Sequence, residues 1–471
     1  MAGMHKQPPN ILFILIDDLG AVDLASFGST FYATPNLDRL AERGLVFTDA
    51  YASCPVCSPT RGSLLTGRYP ARIGLTDWID FGGRIQPARG RLVDVPYIRE
   101  LPRTEVTSAS LLRGRGYSTW HVGKWHLGFE ETYPEQHGFD VNIGGGYLGA
   151  PGPGGYFSPF DIPNLPSGSP GRYLPEVLTD GAINLIRNRG DNPFFLNMCF
   201  YLVHTPIEAP ADRVAKWEAR VRERGLDRQT ALVEGEFFPT EHKRHLRVTR
   251  RVLQSDPVYA AMVESMDENV GRLLDTLEEE GIADDTLVVF TSDNGGLSTS
   301  ESSPTCNSPY AEGKGWMYEG GTRVPMIAAW PGRIPAGSRT AEPVCSIDLF
   351  PTWLTQAGIP VPDRLLIDGQ DLSPVLFEGA ALERNALFWH YPHYGNQGGT
   401  PGSSIRSGDW KLIEFYEDGR LELYNLAEDV GEDNNLANAE PERARALHQR
   451  LKEWRESVAA RIPTPNPDWQ E

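Results

Sequence analysis

Cysteine is scarce in this chain, with five among 471 residues, at positions 54, 57, 199, 306 and 345. Thiols so few and so scattered exclude a disulfide framework. Long apolar runs are missing too: the run at 11–16 stops at Asp17 and Asp18, far short of the roughly 18 to 20 apolar residues of a membrane span. Basic charge is in deficit, 44 Lys and Arg against 63 Asp and Glu, for a formal net charge of −19. Nucleic acid needs the opposite balance, so neither it nor a membrane is an expected partner. A small anionic substrate stays open, because a few convergent cations in one cleft reverse the local field. The lead at 1–10 has neither the apolar core nor the small-residue cleavage site of a signal peptide, which makes the cytoplasm the expected compartment. There are no internal repeats.

Over the first three quarters, short apolar runs alternate with helical patterns, the arrangement of βαβ units around a mainly parallel sheet. Strands are expected at 10–16, 118–122, 194–200, 286–291 and 324–329. Thr34, Pro35 and Gly44 read as the cap, first residue and stop of a short helix. A longer helix is expected at 257–280, where apolar residues from Tyr259 to Leu277 recur at helical spacing. The Gly-, Pro- and Ser-rich stretch 144–172, with Tyr147, Tyr156 and Phe157, reads as a long functional or mobile loop. The charge-rich stretch 213–251 reads as a solvated surface insertion without chemistry. After a helix at 347–357 the pattern changes to antiparallel strands at 386–391, 405–416 and 421–426 and an amphipathic helix at 441–461. The expected division is an α/β domain over 1–380, its mainly parallel mixed sheet sandwiched by helices, and a small α+β domain with an antiparallel sheet over 381–471.

Asp17 and Asp18 follow one buried strand directly, and Asp293 and Asn294 follow another. Ligands of open α/β sheets bind at the carboxyl ends of strands. Either pair alone could equally cap its loop; together, at two strand ends, they favour a hard cation, calcium or magnesium, over zinc. Cys57 begins a helical-looking stretch, where backbone N–H groups favour an anion. Arg61, one turn on, adds a planar cation suited to a tetrahedral oxyanion. Cys54 and Cys57 also form a lone C-x-x-C, readable as a redox pair or half a zinc site; no second C-x-x-C exists. Lys124 and His126 alternate at a strand exit, His204 follows another strand, and Lys314 lies between glycines. Each alone reads more simply as structural or solvent-exposed.

With these residues in view the chain resembles the type I, formylglycine-dependent sulfatases, in the arylsulfatase A-like branch of the alkaline phosphatase superfamily. The resemblance rests on Cys57-Ser58-Pro59-Thr60-Arg61-Gly62, on the run ending in Asp17-Asp18, and on Leu64-Leu65-Thr66-Gly67-Arg68. It extends through Gly123-Lys124-Trp125-His126, His204-Thr205-Pro206, Ser292-Asp293-Asn294-Gly295, Gly313-Lys314-Gly315 and Arg406-Ser407-Gly408-Asp409-Trp410. It implies an alkaline phosphatase-like fold and conversion of Cys57 to formylglycine by a formylglycine-generating enzyme. It further implies Ca2+, ahead of Mg2+, held by Asp17, Asp18, Asp293, Asn294 and residue 57. The hydrated aldehyde would be the nucleophile, with Asp293 taking its proton. Arg61, Lys124 and Lys314 would neutralise the sulfate oxygens, His204 with Lys314 would protonate the leaving alcohol, and His126 would be the base that frees the sulfate.

The implied substrate is a small sulfated molecule, in this branch a carbohydrate. Trp78, His390, His393, the aromatics of 144–172 and the loop at 391–404 are the candidate sugar contacts. Two rivals stand beside this reading: a phosphate or phosphonate ester hydrolase of the same superfamily, and a non-catalytic sulfate-binding protein in which Cys57 stays a thiol.

Overall fold

The computed structural model describes residues 8–80, 88–166 and 168–470. Most of the lead read for a signal peptide, and residue 167 of the long loop, lie outside the described residues. The large sheet comprises β1 (Asn10–Ile16), β2 (Leu45–Phe47), β3 (Ser118–Gly123), β4 (Val141–Ile143), β5 (Phe194–Cys199), β6 (Thr286–Ser292), β7 (Met326–Ala329) and β8 (Ser338–Thr340). Their order is β8-β2-β7-β6-β1-β5-β3-β4, and only β7 runs against the rest.

The alternation within β1 shows why the sheet lies in the middle. Leu12, Ile14 and Ile16 enter one apolar core, while Ile11, Phe13 and Leu15 enter the other. A strand apolar on both sides is stable only when both sheet faces are covered. Helices α1 (Pro35–Arg43), α3 (Leu174–Arg187), α4 (Ala211–Glu223) and α5 (Pro257–Glu279) supply the first cover. Helices α2 (Cys57–Thr66) and α6 (Leu349–Gln356) supply the second. Among the described residues no helix is long and apolar enough to cross a membrane.

Three sequence expectations change. The stretch 213–251 is not wholly solvated: Trp217 of α4 is fully buried, its ring edge-on to Phe31 and its Nε1 donating to Glu264. The same stretch continues into a hairpin, Leu232–Phe237 with Arg247–Arg251. Its charged residues masked four buried apolar anchors, Trp217, Val221, Phe238 and Val248. The expected strand at 405–416 is two strands, because the chain reverses at Gly408, whose φ of 59° is left-handed. Finally, the last helix, α7 (Pro441–Ser457), stops short of 461.

The second sheet is antiparallel, in the order β9 (Leu387–Tyr391), β10 (Gly402–Ser407), β11 (Trp410–Phe415), β12 (Leu421–Asn425). Its apolar face packs with α7 and with Tyr51, Val56, Tyr69 and Ile347 into one core. Buried ions cross the same seam: Lys411 Nζ lies 2.9 Å from both Glu319 and Glu432, and Arg406 lies 2.6 Å from Asp49. Removing one partner of a buried pair leaves an uncompensated charge, so Lys411→Ala is expected to destabilise the protein by about 3–5 kcal/mol. Urea unfolding followed by tryptophan fluorescence checks this; an unchanged midpoint would contradict it.

Candidate active site

The four central strands β6, β1, β5 and β3 are neighbours and parallel, so their carboxyl ends share one edge. Pairing of Ile16 with Ser292 and of Gly123 with Cys199 sets the next residues, Asp17, Asp293 and Lys124, side by side. Backbone bonds hold them: Asp293 N donates to Ile16 O at 3.1 Å and Lys124 N to Cys199 O at 2.8 Å. At Gly123, with φ of 98°, a Cβ would stand 1.9 Å from Cys199 O, so only glycine permits the turn that returns Lys124 over the strand ends. Asp18 and His126 also adopt left-handed backbone, at φ of 63° and 56°. Non-glycine residues keep such conformations where the surroundings over-determine them, commonly at functional sites.

Carboxylates and cations then interlock. Lys124 Nζ lies 2.6 Å from Asp17 Oδ2 and Lys314 Nζ 2.8 Å from Asp18 Oδ2. Asn294 Nδ2 donates to Asp18 Oδ1 at 2.8 Å. Arg61 donates through Nε to Asp293 Oδ2 at 2.8 Å and through Nη1 to Lys124 O at 3.0 Å. Burial, reinforced by Asp293 and Asp18, pushes Asp17 up to about 8 despite Lys124. Burial also works on Asp18, yet Lys314, His204 and Lys124 together hold it below the usual carboxylate range. Two buried oxygens, Asp17 Oδ1 and Asn294 Oδ1, have no hydrogen-bond partner. Buried polar atoms are rarely left so. With the oxygens of Asp18 and Asp293 beside them, they fit a hard cation in oxygen coordination. The Asp17 and Asp18 carboxylates and the His204 ring also lie within 4.8 Å of one another.

Cys57 opens α2 and is 3% exposed. Burial pushes its thiol up, against Lys124 and Lys314, so it stays protonated. His126 Nδ1 stands 3.4 Å from Cys57 Sγ, and its Nε2 stands 2.7 Å from Ile79 O. A carbonyl only accepts, so the proton belongs on Nε2, and Nδ1 turns its lone pair to residue 57. Burial and Lys124 hold this imidazole neutral. Gly149 allows that closeness: a Cβ there would fall 2.6 Å from the His126 ring. In front lies a cavity of 340 Å³ lined by Cys57, Trp78, His126, His204, Glu301 and Lys314, in the size class of small-ligand sites.

Several expected site residues stand elsewhere than the sequence suggested. Arg61 and Lys124 do not line the cavity; they sit behind it, their hydrogen bonds taken by Asp293 and Asp17. From there their charge can act on the cavity through its field rather than by contact. His393 is fully buried between Thr76 Oγ1, at 2.8 Å, and Asp94, and His390 is bonded to Ser403, Tyr416 and Arg461 O, so neither faces the cavity. Of the long loop, Leu148 and Gly149 line the cavity, whereas Tyr156 is core, Phe157 packs on Tyr173, and Tyr147 stacks on Phe129. Asn396 and Gln397 of the 391–404 loop do line it. Cys54 and Cys57 are both free thiols, Cys54 lying in an apolar cluster. Sequence reading missed Asp80 and Glu301; for Glu301 the only signal was its place in a Ser-rich loop.

Parallel strands that deliver carboxylates, lysines and a helix-borne residue 57 to one small cavity define a hydrolase of anionic esters with alkaline phosphatase-like architecture. The sulfatase family model matches residues 9–359, and a model described as N-sulphoglucosamine sulphohydrolase, C-terminal, matches 312–457. The chain is 33% identical to N-acetylgalactosamine-6-sulfatase of Sus scrofa, over 81% of this chain and 69% of that protein. It is 33% identical to arylsulfatase A of Bos taurus, over 95% of this chain and 87% of that protein. The crystal structure of Ps i-CgsB in complex with k-i-k-neocarrahexaose matches with a TM-score of 0.75 at 27% identity, covering 98% and 95% of the two chains. The chain belongs to the sulfatase family, and its reaction is the hydrolysis of sulfuric esters.

Proposed function

We propose that this sulfatase removes sulfate from a sulfated carbohydrate, working with residue 57 as formylglycine and with calcium held by Asp17, Asp18, Asp293 and Asn294. One observation carries the reading. Residue 57 at a helix N-terminus, a neutral imidazole nitrogen 3.4 Å from it, and the oxygens of Asp17 and Asn294 that accept no hydrogen bond meet at one buried place. A protonated thiol is a weak nucleophile there. Hydrated formylglycine would supply two hydroxyls, one for attack on sulfur and one for release of sulfate, and a cation held by these residues would supply the charge that acidifies the first. The burial of Cys57 supports conversion by a formylglycine-generating enzyme before the chain folds.

The remaining roles fall to the chain's own groups. His126 Nδ1 accepts a proton from residue 57. Asp18 holds Lys314 in its charged form and raises its pKa, so the ammonium serves the leaving alcohol as a fixed positive charge and hydrogen-bond donor at its oxygen. His204 donates from Nδ1 to Thr205 O at 2.8 Å, which leaves Nε2 toward Asp18 and the cavity. Burial and Lys314 pull its pKa down to about 3, so in the free protein Lys314 rather than His204 carries the proton. Lys124 and Arg61 stand as fixed charges behind the sulfate, stabilisation that needs no reorganisation during reaction.

Carbohydrate is favoured by the likeness to an N-acetylgalactosamine-6-sulfatase and to a protein crystallised with a neocarrahexaose. Trp78, Asn396 and Gln397 add an indole and two amides to the cavity wall. The test is a panel of sulfated mono- and disaccharides, each paired with its phosphate ester. The sulfate ester should lead in kcat/KM by on the order of tenfold or more; faster phosphate hydrolysis would favour the phosphatase rival. Turnover of aryl sulfates with no sugar sulfate accepted would overturn the carbohydrate assignment.

A further inference from the structure

At the rim of the cavity the backbone does something L-residues avoid. Ser300, Glu301, Ser302 and Ser303 are all left-handed, with φ of 53°, 43°, 80° and 41°. Each Cβ there crowds the following carbonyl, and such a run persists only where its surroundings enforce it. The enforcement comes from the hairpin strand Arg247–Arg251, in the stretch that the sequence marked as without chemistry. Ser300 N donates to Thr249 O at 2.8 Å, Ser303 Oγ to the same carbonyl at 3.2 Å, and Arg251 Nε to Ser303 O. The product of this turn is the placement of Glu301. Glu301 is exposed and lines the cavity, and buried Gln397 donates to its Oε2 at 2.7 Å. Two separate parts of the chain therefore hold one carboxylate at the mouth of a site built for an anion.

Among the described lining residues the only permanent cation is Lys314, and Asp18 engages it at 2.8 Å. The buried Lys314 thus offers a cation for one anion, while the exposed Glu301 sets a negative charge on the cavity wall. We propose that Glu301 is a specificity-determining residue. It selects a sugar that carries a single sulfate flanked by hydroxyl or ammonium groups, and it rejects a ring bearing a second sulfate or a carboxylate beside the first. A carboxylate accepts hydrogen bonds from hydroxyls and ammonium, whereas a second anion loses its hydration and meets like charge. This assignment rests on the carbohydrate reading above and adds the class of sugar.

The test compares kcat/KM for a monosulfated hexosamine and its disulfated analogue, with an aryl sulfate as reference, in wild type, Glu301→Gln and Glu301→Lys. The ratio of the two sugars is measured on one preparation, so losses from misfolding cancel. Wild type is expected to favour the monosulfated sugar. Glu301→Gln should compress the ratio by about three- to tenfold, the size of a single charge interaction at a hydrated rim. Glu301→Lys should compress it further or reverse it, and added salt should shrink the wild-type preference. A ratio unmoved by both substitutions, or a wild-type preference for the disulfated sugar, overturns this assignment alone. Turnover of the aryl sulfate with neither sugar accepted overturns the carbohydrate reading and this assignment with it.

Discussion

Cys57→Ala and Cys57→Ser are each expected to lower multiple-turnover sulfate hydrolysis on the order of 1,000-fold or more, as removal of a nucleophile does, and to fail in different ways. Serine keeps one hydroxyl at the N-terminus of α2, facing His126 Nδ1. It can attack sulfur once: the bond from sulfur to the alcohol oxygen breaks, the alcohol leaves with a proton, and a serine sulfate ester remains. Without a second hydroxyl on the same carbon, that ester has no route to expel sulfate. The serine variant should release one equivalent of alcohol and show retained sulfate by intact mass; the alanine variant should show neither. In the active wild type, the peptide containing residue 57 should carry the mass of the aldehyde or its hydrate in place of the thiol. Cys54 lies in an apolar cluster away from the cavity lining, so Cys54→Ala should leave turnover largely intact. Equal losses at 54 and 57 would favour a redox pair, and full turnover by Cys57→Ser would overturn the role given to residue 57.

Excess chelator is expected to abolish turnover and lower the melting temperature together. A ligand at 100 times its Kd that binds only the folded state stabilises it by about 2.7 kcal/mol, so removal takes away that much or more. It also uncovers the crowding of Asp17, Asp18 and Asp293. Asp17 then titrates with a raised pKa of about 8, chiefly through burial. A carboxyl raised in the folded state stabilises it fully below the unfolded value of 3.8 and loses that contribution as pH climbs through about 8. The metal-free protein should therefore lose stability with rising pH across this window, whereas the calcium-saturated protein should not. Calorimetry at several pH values, with and without calcium, checks both points. Full activity in excess chelator would contradict the metal role.

Where apolar runs end in acidic residues, the site was legible. Strands β1 and β6 are uninterrupted hydrophobic segments followed at once by Asp17-Asp18 and Asp293-Asn294, and strand ends are where such sheets bind ligands. His390 and His393 misled, because a histidine in a pocket and one clamped between Thr76 and Asp94, as His393 is, look alike in one dimension. Arg61 shows a different limit. Its place one turn into α2 is correct, but a guanidinium reaches several partners, and the bonds it makes with Asp293 depend on a strand 232 positions away.

By itself the amino-acid sequence determined the alternation of strands and helices, the two acidic strand ends and the Cys57 to Arg61 segment. These depend on periodicity and on neighbours in the chain, which act over a few residues. Only the tertiary structure decided which charges face the cavity and which stand behind it, and that the hairpin of an apparently inert insertion bends the backbone around Glu301. Those outcomes depend on sheet register and on contacts such as Asp18 with Asn294, 276 residues apart, or Lys314 with Asp18, 296 apart. A buried charge is placed by whichever partner compensates it, and that partner is chosen by the packing of the whole fold.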